Sequence, residues 1–193
     1  MTAASTATAM STGAAPRKAV LLCAGRRRVT EARVRELEML AEAAQLKVAA
    51  VVHARRAAPH PKYYVGLGRV AEIQSALAET GADVLLVNRD FSPRQEHNLE
   101  RECAAPVTGY TRLILEIFSR HARSYEGKLQ VELAQTQYMA TRLVRGWSHL
   151  ERQKGGIGLR GGPGEQQLET DRRLLRRRIL RLRAQLDLSL IHI

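Results

Sequence analysis

The stretch that decides the fold is Lys18–Ala24, which reads KAVLLCA. A short, continuous apolar run of this kind is typical of a strand that is buried on both faces of a sheet. Two similar runs follow, at Lys47–His53 (KVAAVVH) and Asp83–Asn88 (DVLLVN), and Pro106–Thr108 is a candidate for a short fourth strand. The first half of the chain therefore carries repeated strand signals, each separated from the next by a longer segment.

Helical patterns fill the segments between these runs. Apolar residues recur every three or four positions over Thr30–Leu46, with Thr30 as a plausible N-cap. A second pattern covers Arg69–Glu79 and ends at a Thr-Gly pair, which is a C-cap signal. A third runs over Ser92–Glu102, with Ser at the N-cap and Pro at the first helical position. Strands that alternate with helices predict an α/β fold with a small parallel sheet flanked by helices.

From Thr111 the pattern is helical only, and it contains two apolar stripes. The first repeats at alternating spacings of four and three, as in a coiled-coil seam: Leu129, Leu133, Thr136, Ala140, Leu143, Trp147 and Leu150. The second follows a glycine-rich segment: Leu168, Leu175, Ile179, Leu182 and Leu186. Two helices that each carry one apolar stripe should pack antiparallel. The pattern therefore predicts a long antiparallel helical hairpin with the glycine-rich loop at its tip.

These patterns divide the chain into four parts. We place the α/β N-terminal domain at residues 18–110 and the helical hairpin at residues 111–186. Residues 1–17 are rich in Ala, Ser and Thr, and we interpret them as a disordered leader. Residues 187–193 (DLSLIHI) leave the charged helical pattern, which indicates an aberrant or truncated tail.

The loop at residues 154–164 is longer than a helical hairpin needs, and it combines glycine with basic residues. Glycine lets backbone N–H groups approach a phosphate closely, and Lys154 and Arg160 would add charge. The predicted RNA-binding residues lie in this loop and on the helix that follows it: Lys154, Gly155, Gly156, Gly158, Arg160, Gly161, Gly162, Arg172, Arg173 and Arg176.

The charge distribution favours a polyanionic partner. The net charge is +12, and the segment Arg142–Arg183 holds twelve basic and four acidic residues, hence eight of those net charges. Such an excess beside a glycine-rich loop favours a nucleic-acid contact over a merely solvated helix face. Aromatic residues make up 4% of the chain, which argues against a base-stacking platform. Structured RNA, recognised by shape and phosphates, is the partner that fits.

Nucleotide fingerprints are weak in this sequence. The segment Gly156–Gly161 matches G-x-G-x-x-G but follows a helix rather than a strand, so we reject it as a dinucleotide site. Gly66 and Gly68 match G-x-G-x-x-A before a helix and are weak candidates for cofactor binding; a glycine turn entering that helix is the simpler interpretation. No G-x-x-x-x-G-K-[ST] loop occurs in the sequence, so we expect no GTP hydrolysis by these residues alone.

Other site classes find little support. Cys23 and Cys103 are far apart and lack metal-ligand spacing, so we expect buried free thiols and no metal site. No catalytic constellation stands out. No apolar run reaches the length of a membrane span, and together with the thiols this favours a cytoplasmic protein.

Several segments resemble the HflX family of ribosome-associated GTPases. They are EGKLQVELAQTQYMATRLVRGWSHLERQ (Glu126–Gln153), the glycine-rich GGIGLRG with the QLETDRRLL that follows, PHPKYYVGLG (Pro59–Gly68), FSPRQEHNLE (Phe91–Glu100) and LILEIF (Leu113–Phe118). Two places depart from the family pattern. An extra glycine at 161–162 precedes Gln166, which stands where the family has Thr. The family's V-x-D-R-T-G element appears as Val107–Arg112 (VTGYTR) without its Asp, at Gly109, and without a Gly.

The resemblance implies a fold and a function. HflX-like proteins have an N-terminal α/β domain, a helical hairpin and then a GTPase domain that holds GTP and Mg²⁺. They bind the large ribosomal subunit and its rRNA, and dissociate or rescue ribosomes under stress. On this resemblance the chain is the ribosome-binding N-terminal part, and its own C-terminal GTPase domain would be a partner.

Two alternatives belong to other classes. One is a stand-alone nucleotide-binding α/β module that uses Gly66 and Gly68. The other is a coiled-coil interaction protein whose Leu129–Leu150 stripe pairs with another chain. Nucleotide binding by equilibrium dialysis tests the first, and sedimentation tests the second.

Overall fold

A computed structural model describes residues 17–55, 57–153 and 163–191. Four strands form one sheet: β1 (Lys18–Gly25), β2 (Lys47–Arg55), β3 (Val84–Val87) and β4 (Val107–Thr108). Their order is β2-β1-β3-β4, and every neighbouring pair is parallel. The chain therefore starts near the middle of the sheet, adds one strand on one side and then two on the other. This confirms the α/β fold with a small parallel sheet.

Six helices accompany the sheet in the described residues. They are α1 (Glu31–Ala43), α2 (Leu67–Thr80), α3 (Pro93–Cys103), α4 (Tyr110–His121), α5 (Tyr125–Gln153) and α6 (Pro163–Ile191). None of the helices in the described part of the chain has the length and apolarity needed to cross a membrane.

Local signals explain several helix ends. Ser92 and Gln95 form a capping box at the start of α3, in which each side chain bonds the other residue's backbone N–H. Gly81 ends α2 in the left-handed conformation at φ 61°, where a side chain would be strained. Thr30 occupies the N-cap of α1 as expected, but its side chain makes no capping hydrogen bond.

The two faces of the sheet bury two separate cores because strand side chains alternate in direction. Leu22 and Leu85 face one side and pack with Ile73 of α2 and Leu99 of α3. Leu21, Leu86 and their neighbours face the other side and pack with α1 and with Leu113 of α4. The α4 helix, which the sequence pattern grouped with the hairpin, therefore covers one face of the sheet.

Helices α5 and α6 form the antiparallel pair. The Ser189 hydroxyl donates to Glu126 Oε1 at 2.6 Å near one end, and further along the pair Arg178 of α6 donates to Glu132 of α5. Residues of both stripes are buried along this contact, namely Leu129, Thr136 and Leu182, and the Thr136 hydroxyl donates to the carbonyl of Glu132. The antiparallel packing follows from these pairings.

Both ends of α6 differ from the sequence-based expectation. We expected a loop over residues 154–164, but Pro163 and Gly164 are helical, since proline suits the first turn of a helix. We also expected the helical pattern to stop at residue 186. Instead α6 continues to Ile191, and the Ser189–Glu126 hydrogen bond joins its last turn to α5.

Candidate nucleic-acid interface

Helix α6 carries many exposed arginines. Five of them are exposed and form no ion pair within the described residues: Arg173, Arg176, Arg177, Arg181 and Arg183. Arg173, Arg176 and Arg177 are three and four residues apart, which places them on neighbouring positions of one helix surface. This surface concentrates positive charge without internal neutralisation, as a site for phosphates requires.

Two other arginines of α6 are less available to a ligand, one because of an ion pair and one because of burial. Arg178 Nη2 and Nε donate to the same Glu132 Oε1 at 2.6 and 3.1 Å, which ties this guanidinium to α5. Arg172 is half-buried, and its Nε is buried without a hydrogen-bond partner in the described structure. Of the three helical residues that we predicted to bind RNA, Arg173 and Arg176 are therefore open to solvent and Arg172 is only partly so.

The predicted loop residues lie outside the described residues. These are Lys154, Gly155, Gly156, Gly158, Arg160, Gly161 and Gly162. The chain reaches this segment from the end of α5 at Gln153 and leaves it at the start of α6 at Pro163. Since α5 and α6 run antiparallel, the segment connects them at the end of the pair that is opposite Glu126 and Ser189.

Arg142 of α5 contacts the α/β part of the chain. Its Nη1 donates to the carbonyl oxygen of Phe91 at 3.4 Å and to the Tyr138 hydroxyl at 2.9 Å, and its Nη2 donates to the Glu96 carboxylate. The guanidinium carbon also lies 5.3 Å from the centre of the Tyr138 ring, within cation–π range. One side chain thus joins α5 both to α3 and to the segment before α3.

Glu96 is a buried carboxyl group, with 9% of its surface exposed. Burial raises the pKa of Glu96 to about 7, although Arg142 acts in the opposite direction. Sequence reasoning missed this residue. The available signal was its spacing, since Glu96, Leu99 and Cys103 are three and four apart and share the buried face of α3.

Asp90 organises the start of α4 beside this contact. Its Oδ1 accepts the backbone N–H of Thr111 at 3.1 Å, and its Oδ2 accepts the Thr111 hydroxyl. Gly109, the N-cap residue of α4, packs so closely that a Cβ there would lie 2.7 Å from Asp90 Oδ1. Glycine at 109, where the resemblance led us to expect Asp, thus matches the space that Asp90 leaves.

The two weak candidates for cofactor binding, Gly66 and Gly68, lie at the N-terminus of α2. Gly66 is the N-cap of α2, and a Cβ added at Gly68 would meet nothing within 4 Å, so the backbone at Gly68 makes no close approach to other atoms. The preceding residues form no strand; Tyr64 is left-handed at φ 68° and makes an isolated antiparallel bridge to His60. The strand–glycine–helix geometry of a dinucleotide site is missing here.

The remaining titratable groups do not assemble into a site in the described residues. Cys23 and Cys103 are buried free thiols, as expected, and burial raises the pKa of each to about 11. Across residues 17–55, 57–153 and 163–191, no cluster of three or more His, Cys, Asp or Glu side chains could hold a metal ion.

Comparisons with known proteins cover most of the chain. Residues 31–119 match the family model described as GTP-binding GTPase N-terminal, and residues 121–189 match the model described as GTP-binding GTPase Middle Region. The GTPase HflX of Escherichia coli (strain K12) is 57% identical over 154 residues, which are 80% of this chain and 36% of that protein. The GTPase HflX of Magnetococcus marinus is 46% identical over 182 residues, which are 92% of this chain and 42% of that protein.

A solved structure shares the fold. A GTP-binding protein from the hyperthermophilic archaeon Sulfolobus solfataricus, in complex with GDP, superposes with a TM-score of 0.63 at 23% identity. The match covers 91% of this chain and 46% of that one. The chain thus spans less than half the length of the proteins that it resembles in sequence and in structure.

Proposed function

The chain belongs to the HflX family of GTPases, and from this membership we propose that residues 1–193 bind RNA of the large ribosomal subunit. The whole protein would use this contact to dissociate or rescue ribosomes under stress in the cytoplasm. The α/β part would support the α5–α6 hairpin, and the hairpin would present the surface that contacts the RNA.

The observation that carries the proposal is the arginine surface of α6. Its five exposed guanidinium groups have no ionic partner within the described residues. Guanidinium groups donate forked hydrogen bonds that match phosphate oxygens, and a row of them can follow an RNA backbone. The slender pair of helices would carry Lys154 and Arg160 into a cavity of a folded RNA that a globular face could not enter.

GTP and Mg²⁺ belong to the proposal only for the whole protein. No P-loop sequence occurs in residues 1–193, a Cβ added at Gly68 would meet open space, and the described residues hold no group of three or more His, Cys, Asp or Glu side chains that could bind a metal ion. We therefore assign GTP binding and hydrolysis to residues outside this chain.

Binding to purified large ribosomal subunits tests the proposal. The 193-residue chain should pellet with the subunits, and the double variant Lys154→Ala/Arg160→Ala should bind more weakly. The matched control is Arg33→Ala/Arg35→Ala, which removes two exposed arginines of α1 and the same amount of charge. Equal losses in both variants would show a diffuse charge effect and contradict a specific role of the loop.

A further inference from the structure

We propose that Arg142 is a positioning residue that fixes the direction of the α5–α6 hairpin relative to the sheet. The effect of Arg142 on RNA binding rests on the proposed function, because the direction of the hairpin matters for binding only if the far end of the hairpin contacts RNA. The geometric part stands without that function and is tested without RNA.

The Arg142 side chain connects α5 to α3 and to the segment before α3, and these contacts approach the guanidinium from different directions. Its two terminal nitrogens bind the Phe91 carbonyl, ahead of α3, and the Glu96 carboxylate, in the first turn of α3. The Tyr138 hydroxyl and ring contact the same guanidinium from within α5. A planar guanidinium with several fixed partners restrains rotation as well as distance, which a flexible ammonium group would not do.

No other ion pair of the described residues makes this connection. Four pairs lie within single helices: Arg33–Glu36, Arg35–Glu31, Arg69–Glu72 and Arg120–Glu116. The Arg178–Glu132 pair lies within the hairpin. In the part of the chain that the structure describes, Arg142–Glu96 is the one ion pair between the hairpin and the α/β part.

Because Arg142 lies well before the end of α5, a small change of helix direction at this residue displaces the end of α5. Helix α5 continues from Arg142 to Gln153, a length of about 16 Å at about 1.5 Å per residue. A tilt of about 10° at Arg142 would therefore move the end of α5 by about 3 Å. A shift of that size is comparable to a hydrogen-bond length, so it would misplace phosphate contacts beyond Gln153.

The pair is better suited to setting geometry than to adding stability. Arg142 and Glu96 are both largely removed from water, and the free-energy cost of burying two charges can exceed what their attraction returns. Glu96 also faces Asp90 and Glu100, which disfavour its ionised form, and Arg112, which favours it. Retention of a charged pair at this contact fits a role in defining one arrangement.

The test is a distance measurement between two spin labels on the 193-residue chain. Cysteines introduced at the exposed Ser75 of α2 and the exposed Glu169 of α6 report the direction of the hairpin. Cys23 and Cys103 are buried with raised pKa values, so they should label slowly, and the chain without added cysteines gives the background.

The parent should give one narrow distance distribution, and Arg142→Gln should at least double its width. Arg178→Gln is the matched control; it removes a pair inside the hairpin and should keep the parental width. Arg142→Lys should be intermediate, because it keeps a charge beside Glu96 but cannot keep all three partners. If Arg142→Gln does not fold, the width of Arg142→Lys decides.

A folded Arg142→Gln, or in its absence Arg142→Lys, with the parental width would overturn the proposal. Binding to large ribosomal subunits should fall at least threefold in Arg142→Gln with the loop charges unchanged, and recover in part in Arg142→Lys. A broad distribution with unchanged binding would overturn the functional part. If the parent itself fails to bind, the proposed function is wrong, while the label distances still decide whether Arg142 orients the hairpin.

Discussion

Arg178 of α6 and Glu132 of α5 are bound to each other across the hairpin, with Arg178 Nη2 and Nε both within 3.1 Å of Glu132 Oε1. The three consecutive arginines Arg176–Arg178 therefore differ in whether their side chains form an ion pair. Arg176 and Arg177 are exposed without an ionic partner in the described residues, whereas the Arg178 guanidinium is bound to Glu132 of α5.

We expect Arg178→Gln to affect RNA binding less than Arg176→Gln or Arg177→Gln. The ion pair competes with any phosphate for the Arg178 side chain, and both partners are exposed enough that its loss should cost only about 0–1 kcal/mol of unfolding free energy. Affinity for large ribosomal subunits and urea denaturation measure the two effects. A loss of binding for Arg178→Gln as large as that for Arg176→Gln would contradict this division.

The pH dependence of stability should report Glu96. The pKa of Glu96 in the folded protein is about 7, above its ordinary value of 4.5, because burial disfavours the ionised form. Its contribution to stability is thus fully present at low pH and is lost as pH rises through about 7. Glu96→Gln stays neutral, so its unfolding free energy relative to the parent should rise from about pH 5 to about pH 8.

Urea denaturation of both proteins across this range measures the difference, and other titrating groups cancel because the two chains share them. A constant difference would show that Glu96 does not titrate in this window. If Arg142 instead outweighed burial and held the pKa of Glu96 below its ordinary value of 4.5, the difference would change only below about pH 5 and stay constant across this range.

Gly109→Ala should destabilise the protein. The new Cβ would lie 2.7 Å from Asp90 Oδ1 and 3.3 Å from Glu96 Oε1, so the start of α4 or the two carboxyl groups must move. Overpacking of this kind costs about 1–3 kcal/mol. The measurement is the urea midpoint of the variant against the parent.

Gly68→Ala is the matched control for that substitution. The added Cβ meets nothing within 4 Å, and Gly68 lies within α2 without a left-handed φ. Alanine in a helix is favoured over glycine by about 0.5–1 kcal/mol, so this variant should be slightly more stable than the parent. Equal destabilisation by both substitutions would refute the steric account at Gly109.

The 193-residue chain should sediment as a monomer. Among the side chains that the structure describes, Leu129 and Thr136 of the α5 stripe and Leu182 of α6 are buried within the one chain, so this part of the stripe is not available to a coiled-coil partner. A dimer at micromolar concentration would revive the alternative of a coiled-coil interaction protein.

Local sequence signals predicted the elements but not their long-range contacts. The three apolar runs, the Ser-Pro start of α3 and the Gly81 end of α2 each act within a few residues, and the structure confirms them. The side that α4 packs against was missed, because its apolar spacing fits a sheet as well as a helix.

The Arg142–Glu96 contact was missed for a related reason. Its partners are 46 residues apart, and no local pattern pairs them. The buried-face spacing of Glu96 could have indicated an unusual carboxyl group, but not its partner. Similarly, the composition of DLSLIHI suggested a break after residue 186, whereas packing against Glu126 keeps Ser189 helical.

The central claim, that this basic hairpin binds RNA of the large ribosomal subunit, is tested most directly by binding affinity over a salt series. The logarithm of the affinity should fall linearly with the logarithm of the salt concentration, by about 0.7–0.9 for each phosphate contacted. Lys154→Ala/Arg160→Ala should bind more weakly and reduce that slope by about 2, while Arg33→Ala/Arg35→Ala should leave it unchanged. Binding that is absent or insensitive to salt, or a slope that the loop variant does not change, would contradict the claim.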